Sequence, residues 1–182
     1  IGVVMKVIVI GAGASGLIAA AYAKKNGHDV TILEKKQKAG IKLSITGKGR
    51  CNVTNNCSIE SLLNNTVTNS NFLYSSFYGY TNQDTIDFFE RIGVKTKIER
   101  GNRVFPVSDH SSDVIRTLQN ALLRKDVKIS LHTEVKNILI KDGRVCGVEL
   151  SDGKKLSADA VVVATGGVSY ASTGSTGDGY RF

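Results

Sequence analysis

The sequence predicts an α/β fold: an open, mainly parallel sheet with helices, carrying an antiparallel three-stranded β-meander. Three observations predict it. Residues 5–34 read as strand, glycine-rich turn, helix and second strand. Residues 135–158 read as three short strands joined by Asp-Gly pairs at 142–143 and 152–153, and Asp-Gly between apolar runs is a strong hairpin signal. "DAVVVATGG" (159–167) then reads as a buried return strand running into glycines.

Met5 opens "MKVIVIG", so residues 1–4 are set aside as a candidate non-native leader. Residues 5–10 are an apolar run ending at Gly11, as expected of a strand buried on both faces. Residues 14–26 are good helix formers that stop at Asn26-Gly27, and "HDVTILE" (28–34) is β-branched. This strand–helix–strand unit should cross over right-handed. Residues 35–70 are polar and glycine-rich, with one short helix expected near 58–64. "TNQDTIDFFERIG" (81–93) spaces Ile86 and Phe89 helically and ends on Gly93. "SSDVIRTLQNALLRK" (111–125) puts Val114, Leu118 and Leu122 on one stripe. A third strand, "VKISLH" (127–132), precedes the meander.

The chain of 182 residues carries 24 Lys+Arg against 16 Asp+Glu, a formal charge of +8. Such a balance suits nucleic acid, anionic lipid, a phosphorylated ligand, or solubility alone. The uncharged run 7–23 is shorter than the roughly 20 residues of a spanning helix, and its glycines sit at a strand–helix turn, which argues against membrane insertion or export. Cys51, Cys57 and Cys146 are odd in number and lack CxxC spacing. That disfavours a disulfide framework or zinc site and suggests a reducing, cytoplasmic setting.

Gly11-Ala12-Gly13-Ala14-Ser15-Gly16 is a GxGxxG motif that follows a strand and opens a helix, and Glu34 ends the next strand. Gly11 permits the tight turn, Gly13 lets backbone approach a pyrophosphate, and Gly16 lets helix and strand pack closely. The amides of the first helical turn, at Ala14, Ser15 and Gly16, would hold phosphate. Glu34 would accept hydrogen bonds from a ribose diol, favouring the unphosphorylated ribose of FAD or NAD; Lys35 beside it is counted among the cofactor-binding candidates, and Lys36 follows. These are the marks of a Rossmann-like dinucleotide site. A short-chain dehydrogenase is disfavoured, because no tyrosine has lysine four residues on.

"KLSITGKGRCNVTNNC" (42–57) crowds cations, glycines, cysteines and asparagines into one loop. On residue types alone it suits a metal, nucleic acid or phosphate. "SDHSS" around His110 is read as a polar helix start rather than a Ser-Asp-His triad, since adjacent residues fold back poorly. Tyr170 lies beside the "ATGG" segment and could approach a cofactor; ordinary packing is the favoured reading. Cys51 and Cys57 are separated by five residues, not the four of a redox-active CxxxxC.

Taken together, four stretches resemble the bacterial NAD(P)/FAD-dependent oxidoreductases of the BaiN type, flavoproteins of two-dinucleotide-binding-domain architecture. They are "VIVIGAGASGLIAA", "IKLSITGKGRCNVTN" (41–55), "GNRVFPVSDHSSDVIRTL" (101–118) and "VVVATGGVSYASTGSTGDGY" (161–180). The resemblance implies FAD on the first glycine motif. It puts Lys42 and Gly49-Arg50-Cys51-Asn52 against the flavin's diphosphate and ring, the backbone near Val135 opposite adenine, and Ala164-Thr165-Gly166-Gly167 over the cofactor. Ala171 stands where the family has proline. Residues 5–182 then read as an incomplete FAD-binding domain, with a substrate domain and a C-terminal FAD segment expected further on.

The expected reaction has NAD(P)H reduce the flavin, which passes hydride to a small organic acceptor, with unsaturated ketones hinted at by the family. Lys42, Lys48 or Arg50 could stabilise charge on the reduced flavin. A flavin-dependent RNA-modifying enzyme shares the fold and would account for the charge. However, the cations cluster at 35–50 without an aromatic-basic platform, so nucleic acid is not the expected partner. A non-catalytic FAD-binding module is the third reading.

Overall fold

The computed structural model describes residues 2–182; Ile1 of the candidate leader lies outside the described residues. The elements are β1 (Lys6–Ile10), α1 (Ala14–Lys25), β2 (Asp29–Leu33), α2 (Ile41–Ile45), β3 (Thr54–Asn55), α3 (Ile59–Asn64) and α4 (Ser70–Gly79). Next come α5 (Asn82–Ile92), β4 (Thr96–Glu99), β5 (Arg103–Pro106), α6 (Ser111–Leu123) and β6 (Lys128–Ser130). The last four are β7 (Val135–Lys141), β8 (Arg144–Leu150), β9 (Lys155–Ser157) and β10 (Ala160–Val163). They divide into two compact units: the described residues up to Leu43 with Gln119–Phe182, and Ser44–Leu118.

The first unit is built on a four-stranded parallel sheet in the order β10-β1-β2-β6. β1 and β2 bury side chains on both faces, as strands of a doubly covered sheet do. Ile8, Ile10 and Leu33 pack with Val135, Val148, Leu150 and Ala158 of the meander region. Val7, Val9, Val30 and Ile32 point the other way and are equally buried, as are Leu17 and Ala20 of α1. Each such aliphatic side chain contributes on the order of 2 kcal/mol by leaving water.

The meander forms a separate antiparallel sheet, β7-β8-β9, as the Asp-Gly pairs predict. Its two turns differ. Asp142 and Gly143 both have positive φ (52° and 72°), as a tight hairpin turn demands. At the second only Gly153 does (87°), and the Gly153 amide donates to the Leu150 carbonyl at 2.9 Å. That is a longer turn closed by a left-handed glycine.

One expectation is corrected. β10 is not a fully buried strand: Ala160, Val161 and Val162 are half-buried and Val163 is 44 % exposed. β10 is an edge strand of this sheet, so an apolar run that reads as central is covered on fewer sides here.

In the second unit, β3-β5-β4 form an antiparallel sheet around buried Val104 and Phe105. α5 follows the sequence closely. Thr81 and Asp84 form a reciprocal capping box, Ile86 and Phe89 are buried, and Gly93 ends the helix at φ 107°. α3 starts at Ser58, whose side chain accepts from the Ser61 amide at 3.1 Å. α6 begins in this unit, and Val114 and Leu118 of its stripe are buried to 0–1 %.

Candidate dinucleotide site

The site in the first unit starts from the turn between β1 and α1. Gly11 has φ 104° and donates its amide to the Leu33 carbonyl at 2.8 Å. A Cβ built on it would lie 2.5 Å from the Ala164 carbonyl oxygen; on Gly16 it would lie 1.9 Å from the Gly11 carbonyl oxygen. Both contacts exclude any side chain, so two of the three motif glycines are fixed by packing alone.

Gly13 is different. Among the described residues no atom lies within 4 Å of a Cβ built there, and its φ of −80° suits any residue. Ala14 and Ser15 beside it are exposed, and among the described residues no side chain caps this helix start. The open face of Gly13 and the uncapped first-turn amides form a cradle that a Cβ would fill. That geometry fits a dinucleotide pyrophosphate.

Glu34 ends beside this turn, half-buried. Its Oε2 accepts the Ala12 amide at 2.8 Å and its Oε1 accepts the Lys36 amide at 2.9 Å. The carboxylate is therefore oriented by backbone on both oxygens, and each keeps lone-pair capacity for a ribose hydroxyl. Val135 opens β7 opposite Leu150 and is 8 % exposed. A groove of about 810 Å³, lined by Lys6, Asp29, Leu33, Lys35, His132 and Thr133 among others, lies apart from this turn, since neither the glycine motif nor Glu34 lines it.

Ala164-Thr165-Gly166-Gly167 leaves β10 directly alongside the glycine turn, with the Ala164 amide donating to Ile10 at 2.9 Å. Gly166 has φ 76°, and a Cβ on it would lie 2.8 Å from Ser175 Oγ. Lys42 Nζ donates to the Ser169 carbonyl at 2.9 Å. Lys35 Nζ donates to Asp178 Oδ2 and Thr176 Oγ1, each at 2.6 Å. Asp178 also pairs with Arg181 and accepts from Thr176 at 3.0 Å. Burial pushes the Asp178 carboxyl up, but the bonds from Lys35 and Thr176 and the charges of Lys35 and Arg181 outweigh it, holding it below the ordinary value. Sequence reading gives Asp178 no role, since its partner lies 143 residues away.

Gly49, Arg50, Cys51 and Asn52 belong to the second unit. Arg50 does not stand free to balance a ligand's charge. Its Nη1 lies 2.9 Å from Glu99 and 3.2 Å from Asp109, and its guanidinium stacks 3.9 Å over the Phe105 ring. Lys97 joins at 2.5 Å from Asp109, making an internally neutral set of two cations and two carboxylates. Hydrogen bonds from Arg50 to Glu99, and from Lys97 to Asp109, hold both carboxyls below their usual range. Cys51 is 1 % exposed with φ 63°; burial raises its thiol pKa against a hydrogen bond with Thr46, so it remains a thiol. The Asn52 amide, with its nitrogen turned inward, reaches the Thr54 and Val104 carbonyls at 3.2 Å. Lys48 is exposed.

His110 is a helix start: its carbonyl accepts the Asp113 amide at 3.1 Å, and the Asp109 carboxylate is held by Arg50 and Lys97. Tyr170 overturns its packing assignment, being 73 % exposed and held at φ 58°. Cys51, Cys57 and Cys146 are free thiols. Among the described residues no cluster of His, Cys, Asp and Glu is placed to hold a metal, and no helix is long and apolar enough to cross a membrane.

A glycine turn open at Gly13, an oriented acid on the next strand and a parallel sheet with a meander define a dinucleotide-binding domain of the Rossmann class. The chain belongs to the family of the HI0933-like protein Rossmann domain, matched over residues 5–182. This is a family of FAD-binding oxidoreductases, so the likeness read from the four stretches is borne out. The chain is 38 % identical to a 3-dehydro-bile acid delta(4,6)-reductase of Clostridium scindens, over 94 % of this chain and 41 % of that protein. It is 30 % identical to a ribosomal RNA dihydrouridine synthase of Haemophilus influenzae, over 96 % and 43 %. It therefore spans less than half the length of these curated relatives. The 3-ketosteroid-delta4-(5alpha)-dehydrogenase of Rhodococcus jostii shares the fold, with a TM-score of 0.65 at 17 % identity, covering 91 % of this chain and 46 % of that one.

Proposed function

We propose that the protein is an FAD-dependent oxidoreductase, reduced by NADH or NADPH, that saturates a carbon–carbon double bond conjugated to a carbonyl in a small organic acceptor. The observation that carries this reading is the 38 % identity to a delta(4,6)-reductase across nearly the whole chain. Bound flavin supplies a two-electron carrier able to take and give hydride. The chain's own contribution is binding and orientation. Backbone at Gly13 meets the pyrophosphate, the amides at Ala14 and Ser15 donate to phosphate oxygens, and Glu34 accepts the ribose hydroxyls.

A second reading is supported by the dihydrouridine synthase relative. Uridine also carries a double bond conjugated to a carbonyl, so the two acceptors share chemistry and differ in size and charge. The small acceptor is favoured because residues 51–90, which include the exposed aromatics Phe72, Tyr74 and Tyr78, contain no Lys or Arg. Single-stranded RNA is held by aromatics together with cations.

The test is the visible spectrum of the intact protein, recorded anaerobically before and after NADH or NADPH, followed by addition of an enone or of unmodified ribosomal RNA. Bleaching followed by recovery with the enone alone is expected. Recovery with RNA alone would transfer the assignment to the second reading. A colourless protein that takes up no FAD would remove both.

A further inference from the structure

The segment after β10 is held in an unusual way. Residues 166–172 are all exposed, so apolar packing does not fix them. Two polar pins do, Lys42 Nζ on the Ser169 carbonyl and the Gly177 amide on the Gly167 carbonyl at 3.2 Å, and a third, Lys35 Nζ on Asp178 and Thr176, anchors the residues that follow. The third is the strongest, being a charge-assisted bond to a carboxylate only 7 % exposed. Its other end is rigid, because Lys35 sits between Glu34 and Lys36, which are tied by the Glu34 carboxylate to the backbone. Gly174, at φ 98°, passes over the Lys36 side chain, where a Cβ would lie 3.5 Å from Cε. The strap therefore crosses the end of β2 beside the glycine turn.

We propose that Lys35 is a positioning residue rather than a cofactor ligand: by latching Asp178 and Thr176 it holds the strap 165–178 at the mouth of the glycine turn, and the dinucleotide leaves only when this latch opens. The Lys35 cation is neutralised by Asp178 and is not offered to a phosphate. The inference rests on the FAD reading for its consequence, but not for the latch itself.

The test uses the intact FAD-loaded protein and two readouts. One is the FAD dissociation rate, followed by flavin fluorescence on dilution; the other is amide hydrogen exchange of residues 166–177, with and without FAD. Lys35→Met and Asp178→Asn should each speed dissociation about tenfold, and the double variant should be no faster than either single one. Strap exchange should accelerate in the same variants without FAD. Lys35→Arg should restore slow release, and the reversed pair Lys35→Asp with Asp178→Lys should restore it in part. If Lys35→Met speeds release while Asp178→Asn does not, or the two effects multiply, Lys35 is a direct ligand and the latch is wrong. Unchanged strap exchange in both single variants would also overturn it. Should Asp178→Asn fail to fold, the Met and Arg variants of Lys35 decide the question. A wild-type protein without FAD would count against the FAD reading alone, since strap exchange still reports the latch.

Discussion

Gly16 lies so close to Gly11 that a Cβ on it would fall 1.9 Å from the Gly11 carbonyl oxygen. The first turn of α1 can approach β1 only because this position has no side chain. Gly16→Ala should therefore cost about 3 kcal/mol, lowering Tm on the order of 10 °C even without cofactor. A thermal melt of the apo protein reads this directly, and an unchanged Tm would refute the packing assignment.

Gly13 should behave in the opposite way. It meets open space at an ordinary φ, so Gly13→Val leaves the fold intact within about 1 kcal/mol. FAD binding should nevertheless be abolished, because the side chain enters the cradle. A melt combined with flavin retention on gel filtration separates the two glycines, and a yellow Gly13→Val protein would contradict the cradle.

Glu34 has a role in the scaffold before any ligand arrives. Its Oε2 accepts from Ala12, a residue fully buried. Glu34→Ala leaves that amide unpaired and should cost about 1–3 kcal/mol in the apo protein. FAD affinity should fall as well. If only affinity falls and apo stability does not, the backbone bonds are incidental.

The Arg50–Glu99–Asp109–Lys97 set predicts an acid response. Glu99 and Asp109 have depressed folded pKa values, so their stabilisation is present above the unfolded carboxylate range near pH 4 and is lost as pH falls through the folded values. Tm of the wild type should drop more steeply below about pH 4 than Tm of the Glu99→Gln, Asp109→Asn variant. Parallel pH profiles would mean that the pairs contribute nothing.

The βαβ unit, the meander, α5 and α6 are legible in the sequence because each is specified locally. Glycines, an Asp-Gly pair or an apolar stripe marks every one. α4 and the β4–β5 hairpin are not. All residues of α4 are partly or fully exposed: its half-buried face, Ser70, Leu73 and Phe77, has only two apolar side chains, and the exposed Phe72, Tyr74 and Tyr78 blur it. The hairpin strands have four residues each and turn through Gly101 and Asn102, both at positive φ, without an Asp-Gly signal. In the site, Gly11, Gly16 and Glu34 are readable from spacing. The partners of Lys35 and Arg50 are not, because residues 143, 49 and 59 positions away meet only through the tertiary fold.

The strand order β10-β1-β2-β6 has a consequence for how the chain is made. β1, α1 and β2 are synthesised close together and can pair at once, but β10, the second neighbour of β1, follows much later. The Lys6 amide waits for a carboxylate 153 residues later. At typical translation rates that delay is roughly 8–30 s, during which one edge of "KVIVI" remains open. Until β10 covers it, a bare, apolar, hydrogen-bond-hungry edge of this kind is a template for pairing with another chain.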